Sequence, residues 1–212
     1  EGVKCGGMEP PCGTASRSRD IPIEASPGQA GPRPLRNAEH PLGFPHLNGL
    51  DAAKVASANS IHQYCADVAA WFHVRGFWYI ENPANSWLWW IPFIVELSSL
   101  EGVVDIVYHA CMHGGRRPKL QRLRTNCRAL QQMALECDSS HEHLAWKPFF
   151  VAGRRVFSTA EEAVFPWEFC HRVAALVIES ADARVVESRV RDLRIKLATQ
   201  RALNAAAAGR QH

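Results

Sequence analysis

Apolar residues recur at helical spacing after Asp51, and the pattern ends at Gly76. This spacing predicts an amphipathic helix, because positions three and four apart share one helical face. Asp51 is a typical residue for a helix start, and glycine commonly follows a helix end. The apolar face comprises Ile61, Tyr64, Cys65, Val68 and Phe72.

Two short segments, the fully apolar run 77–80 and the largely apolar 103–108, predict buried strands. Residues 3–8 indicate the end of a further strand, although two glycines weaken that pattern. A second helix, capped by Asn85 or Ser86, is expected to carry the tryptophans. Helices that alternate with buried strands are typical of parallel sheets. We therefore predict an α/β fold with a partial, Rossmann-like parallel sheet, crossover helices and a helical C-terminal part.

The remaining segments predict loops and C-terminal helices. Residues 14–49 are rich in proline and predict a long loop, and 116–128 form a basic stretch that leads into a helix ending near Cys137. Thr159 and Glu162 form a capping box for a helix to about residue 178, and another helix is expected over 183–206. The predicted division is residues 1–150, which contain the sheet, and 151–212, a helical extension.

Composition narrows the class of protein. Hydrophobic residues make up 47% of the 212 residues, which indicates a folded domain, and the net charge of +3 permits a nucleic-acid partner. Seven irregularly spaced cysteines favour free thiols in a reducing compartment. The most apolar run, 87–95, is too short to span a bilayer. We expect an intracellular protein (nuclear in a eukaryote), and the start at Glu1 suggests a fragment.

Two reactive side chains follow predicted strands. Cys12 lies on a stiff Pro-Pro turn, and Glu81 follows the strand at 77–80. Ligands of parallel sheets bind at the C-terminal ends of the strands, so Cys12, Glu81 and the turn at 113–115 are expected at one edge. Cys12 is a candidate nucleophile and Glu81 a candidate acid. The alternatives are a structural cysteine in a proline-rich turn and a carboxylate that stabilises a turn or caps a helix.

Basic residues near these positions are candidates for phosphate binding. Arg17 and Arg19 follow Cys12 closely, and Arg122 and Arg124 belong to the basic stretch. The alternative for the basic stretch is a solvated loop.

A third group of residues has the chemistry of zinc ligands. Cys137, His141 and His143 form a Cys-x3-His-x-His pattern that Cys127 or Cys111 would complete. The chain contains no Cys-x2-Cys pair, and the His-x-His pattern occurs in many loops. We therefore predict no metal site, with a zinc-stabilised interaction domain as an alternative.

Three motifs, in their order along the chain, resemble those of cytosine-5 DNA methyltransferases. Pro10-Pro11-Cys12 resembles the Pro-Cys motif of that family, and Glu81-Asn82-Pro83 resembles its Glu-Asn-Val motif. His113-Gly114, with Arg122 and Arg124, resembles loosely the later Gln-x-Arg-x-Arg motif. Gly13 and Pro83 depart from the residues usual in the family. The wider layout resembles divergent methyltransferase-like segments of phages and mobile elements.

The resemblance implies a role for each motif residue. Cys12 would add to carbon 6 of a flipped cytosine, and Glu81 would contact ring nitrogen 3. Pro11 and Asn82 would shape the pocket. Arg17 and Arg19 would contact phosphates, while Arg122 and Arg124 would hold the base.

The resemblance also implies a cofactor and a partner. The methyl donor would be S-adenosylmethionine, and the partner DNA. The family's cofactor motif lies upstream of its Pro-Cys motif and is not recognisable in this chain, so full activity is expected only in a longer protein. An inactive DNA-binding remnant of a mobile element is an alternative. The sequence does not indicate an oligomeric state.

Overall fold

A four-stranded sheet organises the protein, with helical segments on both of its faces. The computed structural model describes residues 5–21, 32–147, 149–152 and 154–208. The fold is α/β, as predicted. The strands are β1 (Cys5–Met8), β2 (Phe77–Pro83), β3 (Val104–His109), β4 (Leu120–Thr125), β5 (Phe149–Val151) and β6 (Arg154–Val156), and the helices are α1 (Gly49–His73), α2 (Pro92–Glu96), α3 (Ser158–Glu161) and α4 (Trp167–Ala208).

The main sheet is mixed and has the strand order β1-β2-β4-β3. β1 and β2 pair in parallel, whereas β4 pairs antiparallel with both β2 and β3. β1, β2 and β3 therefore run in one direction, and their C-terminal ends lie at one edge. The prediction of a partial parallel sheet holds only for β1 and β2. β5 and β6 form a separate antiparallel pair.

The basic stretch contains a strand that the sequence did not reveal. β4 occupies 120–125, where only a loop was predicted, and Arg122 and Arg124 lie inside it. Their charges hide the alternation of a strand, because arginine is normally expected at the surface. The predicted helix ending near Cys137 is instead a 3-10 helix, Arg128–Met133.

One face of the sheet is covered by α1, α2 and the tryptophan-rich segment between β2 and α2. The predicted tryptophan helix is a 3-10 turn, Trp87–Trp90, followed by the short α2. Ser86 caps the turn, since its hydroxyl accepts a hydrogen bond from Leu88 N at 3.2 Å. The buried core on this face comprises Met8, Ala15, Cys65, Ala66, Ala69, Trp78, Ile80, Leu88, Trp89, Ile91, Ile94 and Leu97.

The other face is covered by the 3-10 helix 128–133 and the first turns of α4. The sequence predicted two C-terminal helices, one from the capping box to about residue 178 and one over 183–206. Instead α3 is a single turn, Pro166 precedes α4, and α4 continues without interruption to Ala208. Part of the predicted extension thus belongs to the core, which comprises Phe77, Ile106, Tyr108, Leu123, Cys127, Leu130, Met133, Phe169, Val173, Leu176 and Val177.

Parts of two predicted segments fall on residues 1–4 and 22–31, which lie outside the described residues. These are the start of the first strand and the middle of the proline-rich loop. Within the described ranges, no helix is both long enough and apolar enough to cross a bilayer.

An ion pair between a buried arginine and a more exposed aspartate joins β3, β4 and α2. The Arg124 side chain is only 5% exposed, and its guanidinium donates to both carboxylate oxygens of Asp105 at 2.8 Å. It also donates to the carbonyl of Ile94 at 2.6 Å. Although burial by itself would raise the pKa of Asp105, hydrogen bonds from Arg124 and Arg122 hold it below its ordinary value.

We expect Asp105→Ala to destabilise the protein by about 2–3 kcal/mol, because Arg124 would keep a buried charge without its partner. Urea denaturation at pH 7 would measure the change. Asp67→Ala, at an exposed position of α1, is the matched control and should change stability by less than about 0.5 kcal/mol. Equal effects of the two substitutions would contradict this role of the ion pair.

Candidate active site

Cys12 and Glu81 lie at the same edge of the sheet because the strands that lead to them are parallel neighbours. Met8, the last residue of β1, pairs with Ile80. Glu81 is the next residue of β2, so it lies inside the strand rather than after it. The Asn82 amide donates to the carbonyl of Pro10 at 2.9 Å. This hydrogen bond joins the Pro-Pro-Cys turn directly to β2.

The turn has further supports that the sequence did not indicate. The buried His62 of α1 contacts the carbonyl of Pro11 through Nε2, at 3.4 Å. The Arg36 guanidinium is buried and donates to the hydroxyl of Thr14 at 3.0 Å and to the side chain of Asn59 at 2.6 Å. His62 and Arg36 thus position the segment that carries Cys12. A histidine and an arginine far apart in sequence offered no motif by which to find them.

Glu81 is buried, and its carboxyl group lacks a full set of hydrogen bonds. The residue is 5% exposed, and Oε1 has no hydrogen-bond partner among the described residues. Burial raises the pKa of Glu81 to about 7; Lys119 opposes the shift and Glu9 adds to it. At neutral pH the carboxyl is therefore divided between its acid and carboxylate forms. A group with such a pKa can donate or accept a proton under physiological conditions.

The Cys12 thiol is half-buried and shares charged neighbours with Glu81. Burial raises the pKa of Cys12, Lys119 lowers it, and the carboxylate of Glu81 raises it. The thiol is thus the resting form at neutral pH. Loss of charge on Glu81 or a closer approach of Lys119 would favour the thiolate.

Lys119 is the site residue that sequence analysis missed. It directly precedes β4, and its carbonyl accepts a hydrogen bond from Ala110 N at 2.8 Å. Its ammonium group donates to the carbonyl of Glu162 at 3.2 Å. Only recognition of β4 would have shown that this lysine, among several basic neighbours, reaches the edge that holds Cys12 and Glu81.

The turn at 113–115 also follows β3 at this edge, but His113 has a structural contact. Its ring is buried, and Nε2 lies 2.9 Å from the carbonyl of Met133. The ring packs edge-on against Tyr108. Burial lowers the pKa of His113, so the imidazole is neutral at pH 7.

Arg17 and Arg19 lie near Cys12 in sequence, and both make local contacts. The Arg17 guanidinium lies 4.8 Å from the centre of the Trp87 ring and pairs with Asp20 at 3.4 Å. Arg19 donates to the carbonyl groups of Gly13 and Arg33. Arg19 therefore holds the backbone next to Cys12, while the Arg17 side chain is about half exposed.

Arg122 and Arg124 do not join Cys12 and Glu81. Their paired residues in β2 are Asn82 and Ile80, whereas Glu81 pairs with Leu123. Successive residues of a strand point to opposite faces, so the two arginines lie on the face opposite Glu81. Both pair with Asp105, and Arg122 also lies over the ring of Trp89.

Comparison of the chain with protein-family models, with curated proteins and with solved structures gives no match. The site is therefore interpreted from its own geometry.

The segments that follow the strands at the edge of Cys12 bear on whether S-adenosylmethionine could bind there. The strand ends at this edge lead into the Pro-Pro-Cys turn, Pro83 and a 3-10 helix, and none provides a glycine-rich turn into a long helix. A cleft of about 410 Å³ lies at the opposite edge, where Phe77, Gly102 and Asn126 line it. The glycine-rich turn that would hold the cofactor expected from the resemblance is thus not among the described residues at this edge.

We expect Glu81→Gln to stabilise the protein at pH 8 by about 2–3 kcal/mol and to change little at pH 4.5. The unfolded carboxyl loses its proton near the ordinary value of 4.5, and the folded one near 7. Stability therefore falls as pH rises through this window. Glutamine avoids that loss because it stays neutral.

Urea denaturation between pH 4.5 and 8 would measure this difference. Burial lowers the pKa of His62 to about 4. The contribution of His62 to the free energy of unfolding therefore rises with pH between about 4 and 6.5, opposite to that of Glu81. Both proteins share this contribution, so it cancels in the comparison. Glu96→Gln, at an exposed position of α2, is the control. Equal stability of Glu81→Gln and the unaltered chain at pH 8 would contradict the raised pKa of Glu81.

We expect Lys119→Met to shift the pH midpoint of Cys12 alkylation upward, because Lys119 favours the thiolate. The rate of iodoacetamide labelling at each pH, resolved by peptide mass spectrometry, would measure it. Lys54→Met, on the exposed surface of α1, should leave the midpoint unchanged. An unchanged midpoint in Lys119→Met would show that Lys119 does not act on Cys12.

Proposed function

We propose that this chain is the catalytic-side part of a DNA (cytosine-5) methyltransferase-like domain. The observation that carries the proposal is the shared position of Cys12 and Glu81 at the ends of two parallel strands. A nucleophile and an acid with a pKa near neutrality meet at one edge, with Lys119 acting on both. Motif resemblance suggested this pair, and the strand pairing explains how the two residues come together.

The reaction requires a nucleophile at carbon 6 of the cytosine ring and an acid at nitrogen 3, because electrons move from the first atom toward the second. The Cys12 thiolate forms a bond to carbon 6 of cytosine, and the ring electrons move toward nitrogen 3. Protonated Glu81 donates a hydrogen bond or its proton to that nitrogen. Carbon 5 thereby becomes an enamine carbon able to attack an electrophile. After carbon 5 has accepted the methyl group, its proton would pass to solvent as the bond from carbon 6 to sulfur breaks and releases the Cys12 thiolate, and nitrogen 3 would return its proton to Glu81.

The raised pKa of Glu81 suits this role. A carboxyl with an ordinary pKa would be ionised at pH 7 and would repel electron density that builds up at nitrogen 3. Burial keeps a large fraction of Glu81 protonated. The unpartnered Oε1 atom supplies a buried polar group to meet a ring nitrogen.

The strand order supports the finer part of the proposal, a Rossmann-like methyltransferase sheet. Three strands run in one direction, and the reversed β4 lies between β2 and β3. The Pro-Cys motif follows β1, and the Glu-Asn motif lies at the end of β2, its parallel neighbour. Both motifs are therefore placed where ligands of parallel sheets bind. β1 is the last strand on its side of the described sheet. Residues that complete a cofactor site would belong to a larger protein.

S-adenosylmethionine would supply the methyl group in that larger protein. This chain would contribute the covalent half of the reaction: attack on carbon 6, protonation at nitrogen 3 and support of the Pro-Pro-Cys turn. Pro11 and Asn82 would act by holding that turn.

DNA is the proposed partner, with the half-exposed Arg17 and with Lys119, which acts on Cys12 and Glu81, as the basic groups that would contact it. Arg19 supports the turn, and Arg122 and Arg124 support the opposite face, so their role toward DNA is not part of this proposal. An inactive DNA-binding remnant is the second candidate. The raised pKa of the Cys12 thiol favours it, because a neutral thiol is a weak nucleophile.

A duplex in which 2-pyrimidinone replaces one cytosine would test the covalent step without a methyl donor. This ring lacks the amino group of cytosine and is more open to attack at carbon 6. We expect an adduct that survives denaturation and a peptide mass that places the bond on Cys12. Cys12→Ser should remove the adduct, and Glu81→Gln should slow its formation at least tenfold.

Cys170→Ser is the matched control, because Cys170 is an exposed thiol on α4 and should not affect the adduct. DNA binding by the unaltered chain without any adduct would support the inactive remnant and overturn the catalytic proposal. Adducts with 2-pyrimidinone but none with 5-fluorocytosine and S-adenosylmethionine would locate the missing function in the methyl-donor site.

A further inference from the structure

Four potential metal ligands converge beside the 3-10 helix that follows β3. They are Cys111, Cys137, His141 and His143, and their ligand atoms all lie within 4.8 Å of one another. Cys137 Sγ is 3.5 Å from His143 Nε2, which is 3.0 Å from His141 Nε2. Ligand atoms of a tetrahedral zinc site are about 3.3–3.8 Å apart, given zinc–sulfur bonds near 2.3 Å and zinc–nitrogen bonds near 2.0 Å. Small side-chain rotations would bring the four atoms to that spacing.

Two elements of the fold bring the ligands together. Cys111 lies in the 3-10 helix Ala110–His113, directly after β3. The segment with the other three ligands is joined to the end of β3 by two hydrogen bonds from its backbone. His109 N donates to the carbonyl of Leu135 at 2.9 Å, and Cys137 N donates to Nδ1 of His109 at 3.2 Å.

The loop between Cys137 and His141 is shaped around the sulfur atom. Ser139 has a positive φ of 60° and directs its N–H to Cys137 Sγ at 3.4 Å. A left-handed conformation is uncommon for serine. An N–H donor to sulfur stabilises a thiolate and so favours a metal-bound cysteine. The loop conformation thus places an N–H donor beside one of the four candidate ligand atoms.

We propose that Cys111, Cys137, His141 and His143 bind one zinc ion. Two thiolates and two neutral imidazoles are the donor set that zinc prefers, whereas calcium and magnesium require oxygen ligands. Four protein ligands leave no position for water, so the site is structural. Binding releases the thiol protons to solvent as the zinc–sulfur bonds form.

The ion connects a segment without regular structure to the edge of the sheet. Residues 134–147 contain no helix or strand and depend on a few hydrogen bonds, such as that from Leu144 N to the carbonyl of Arg116 at 3.0 Å. A zinc ion adds four bonds to this attachment. Cys111 is adjacent to Ala110, whose N–H holds the backbone of Lys119, so the ion would also stabilise the position of that lysine. The zinc site does not depend on the proposed methyltransferase chemistry.

Metal analysis of the full chain, purified with reductant and without chelator, tests the proposal. We expect one zinc ion per chain by inductively coupled plasma mass spectrometry. Cobalt exchanged into the site should show the absorption of a tetrahedral centre with thiolate ligands. Cys137→Ala and His143→Ala should lose bound zinc, while Cys170→Ser, on the exposed surface of α4, should retain it.

A measurement on the unaltered chain guards against variants that fail to fold. Zinc should protect Cys111 and Cys137 from alkylation, and a chelator should expose both, whereas the reactivity of Cys170 should not change. Substoichiometric zinc after incubation with the metal, or equal alkylation with and without it, would overturn the proposal. Stoichiometric zinc that persists in Cys137→Ala would also overturn this ligand assignment.

Discussion

The parallel pairing of β1 with β2 is the constraint on which the candidate site depends. Two parallel strands need a crossover connection, which the chain provides through α1. The pairing places the turn after β1 next to the last residues of β2. The hydrogen bond from Asn82 to Pro10 then joins the two, so Cys12 and the buried Glu81 lie at the same edge of the sheet. Without this register, the turn and the acid would belong to unrelated parts of the surface.

The two faces of the sheet at β2 and β4 carry different charged side chains: Glu81 on one face, and Arg122 and Arg124 on the other. On one face, the Glu81 carboxyl is buried, and its pKa rises to about 7. On the other face, Arg122 and Arg124 share the single carboxylate of Asp105. Lys119 stands just before β4, at the edge, and this position allows it to act on Cys12 and Glu81. Basic residues that are close in sequence therefore act on different groups: Lys119 acts on Cys12 and Glu81, and the two arginines pair with Asp105.

The proposed zinc site and the proposed active site lie at successive turns of the same sheet edge. The 3-10 helix after β3 contributes Cys111 to the first and supports the backbone of Lys119 in the second. A structural ion would confine a segment that has little secondary structure of its own. Under the proposed function, rigidity at this edge would matter because attack on a ring carbon requires the thiol and the acid to keep a defined separation.

The local sequence determined the elements with a strong pattern: α1, β2, β3 and the cysteine-bearing turn. Helical periodicity and short apolar runs indicate these elements without tertiary information. It also indicated Cys12 and Glu81 as a pair and Cys137, His141 and His143 as a possible ligand group. The fourth ligand stayed open between Cys111 and Cys127, because only the fold brings residues so distant in sequence together. Cys127 is fully buried in the core, and Cys111 faces the cluster.

Tertiary structure alone decided the antiparallel strand β4, the unbroken helix α4 and the environment of each charged group. The pattern of β4 is hidden because the strand contains two arginines, and Arg124 occupies a buried position that the partner Asp105 makes tolerable. Likewise, nothing local distinguishes Lys119 from the basic residues around it, or indicates that His62 and Arg36 support the Pro-Pro-Cys turn. Burial and pairing are properties of distant contacts, so sequence patterns can nominate reactive side chains but cannot set their pKa values or their neighbours.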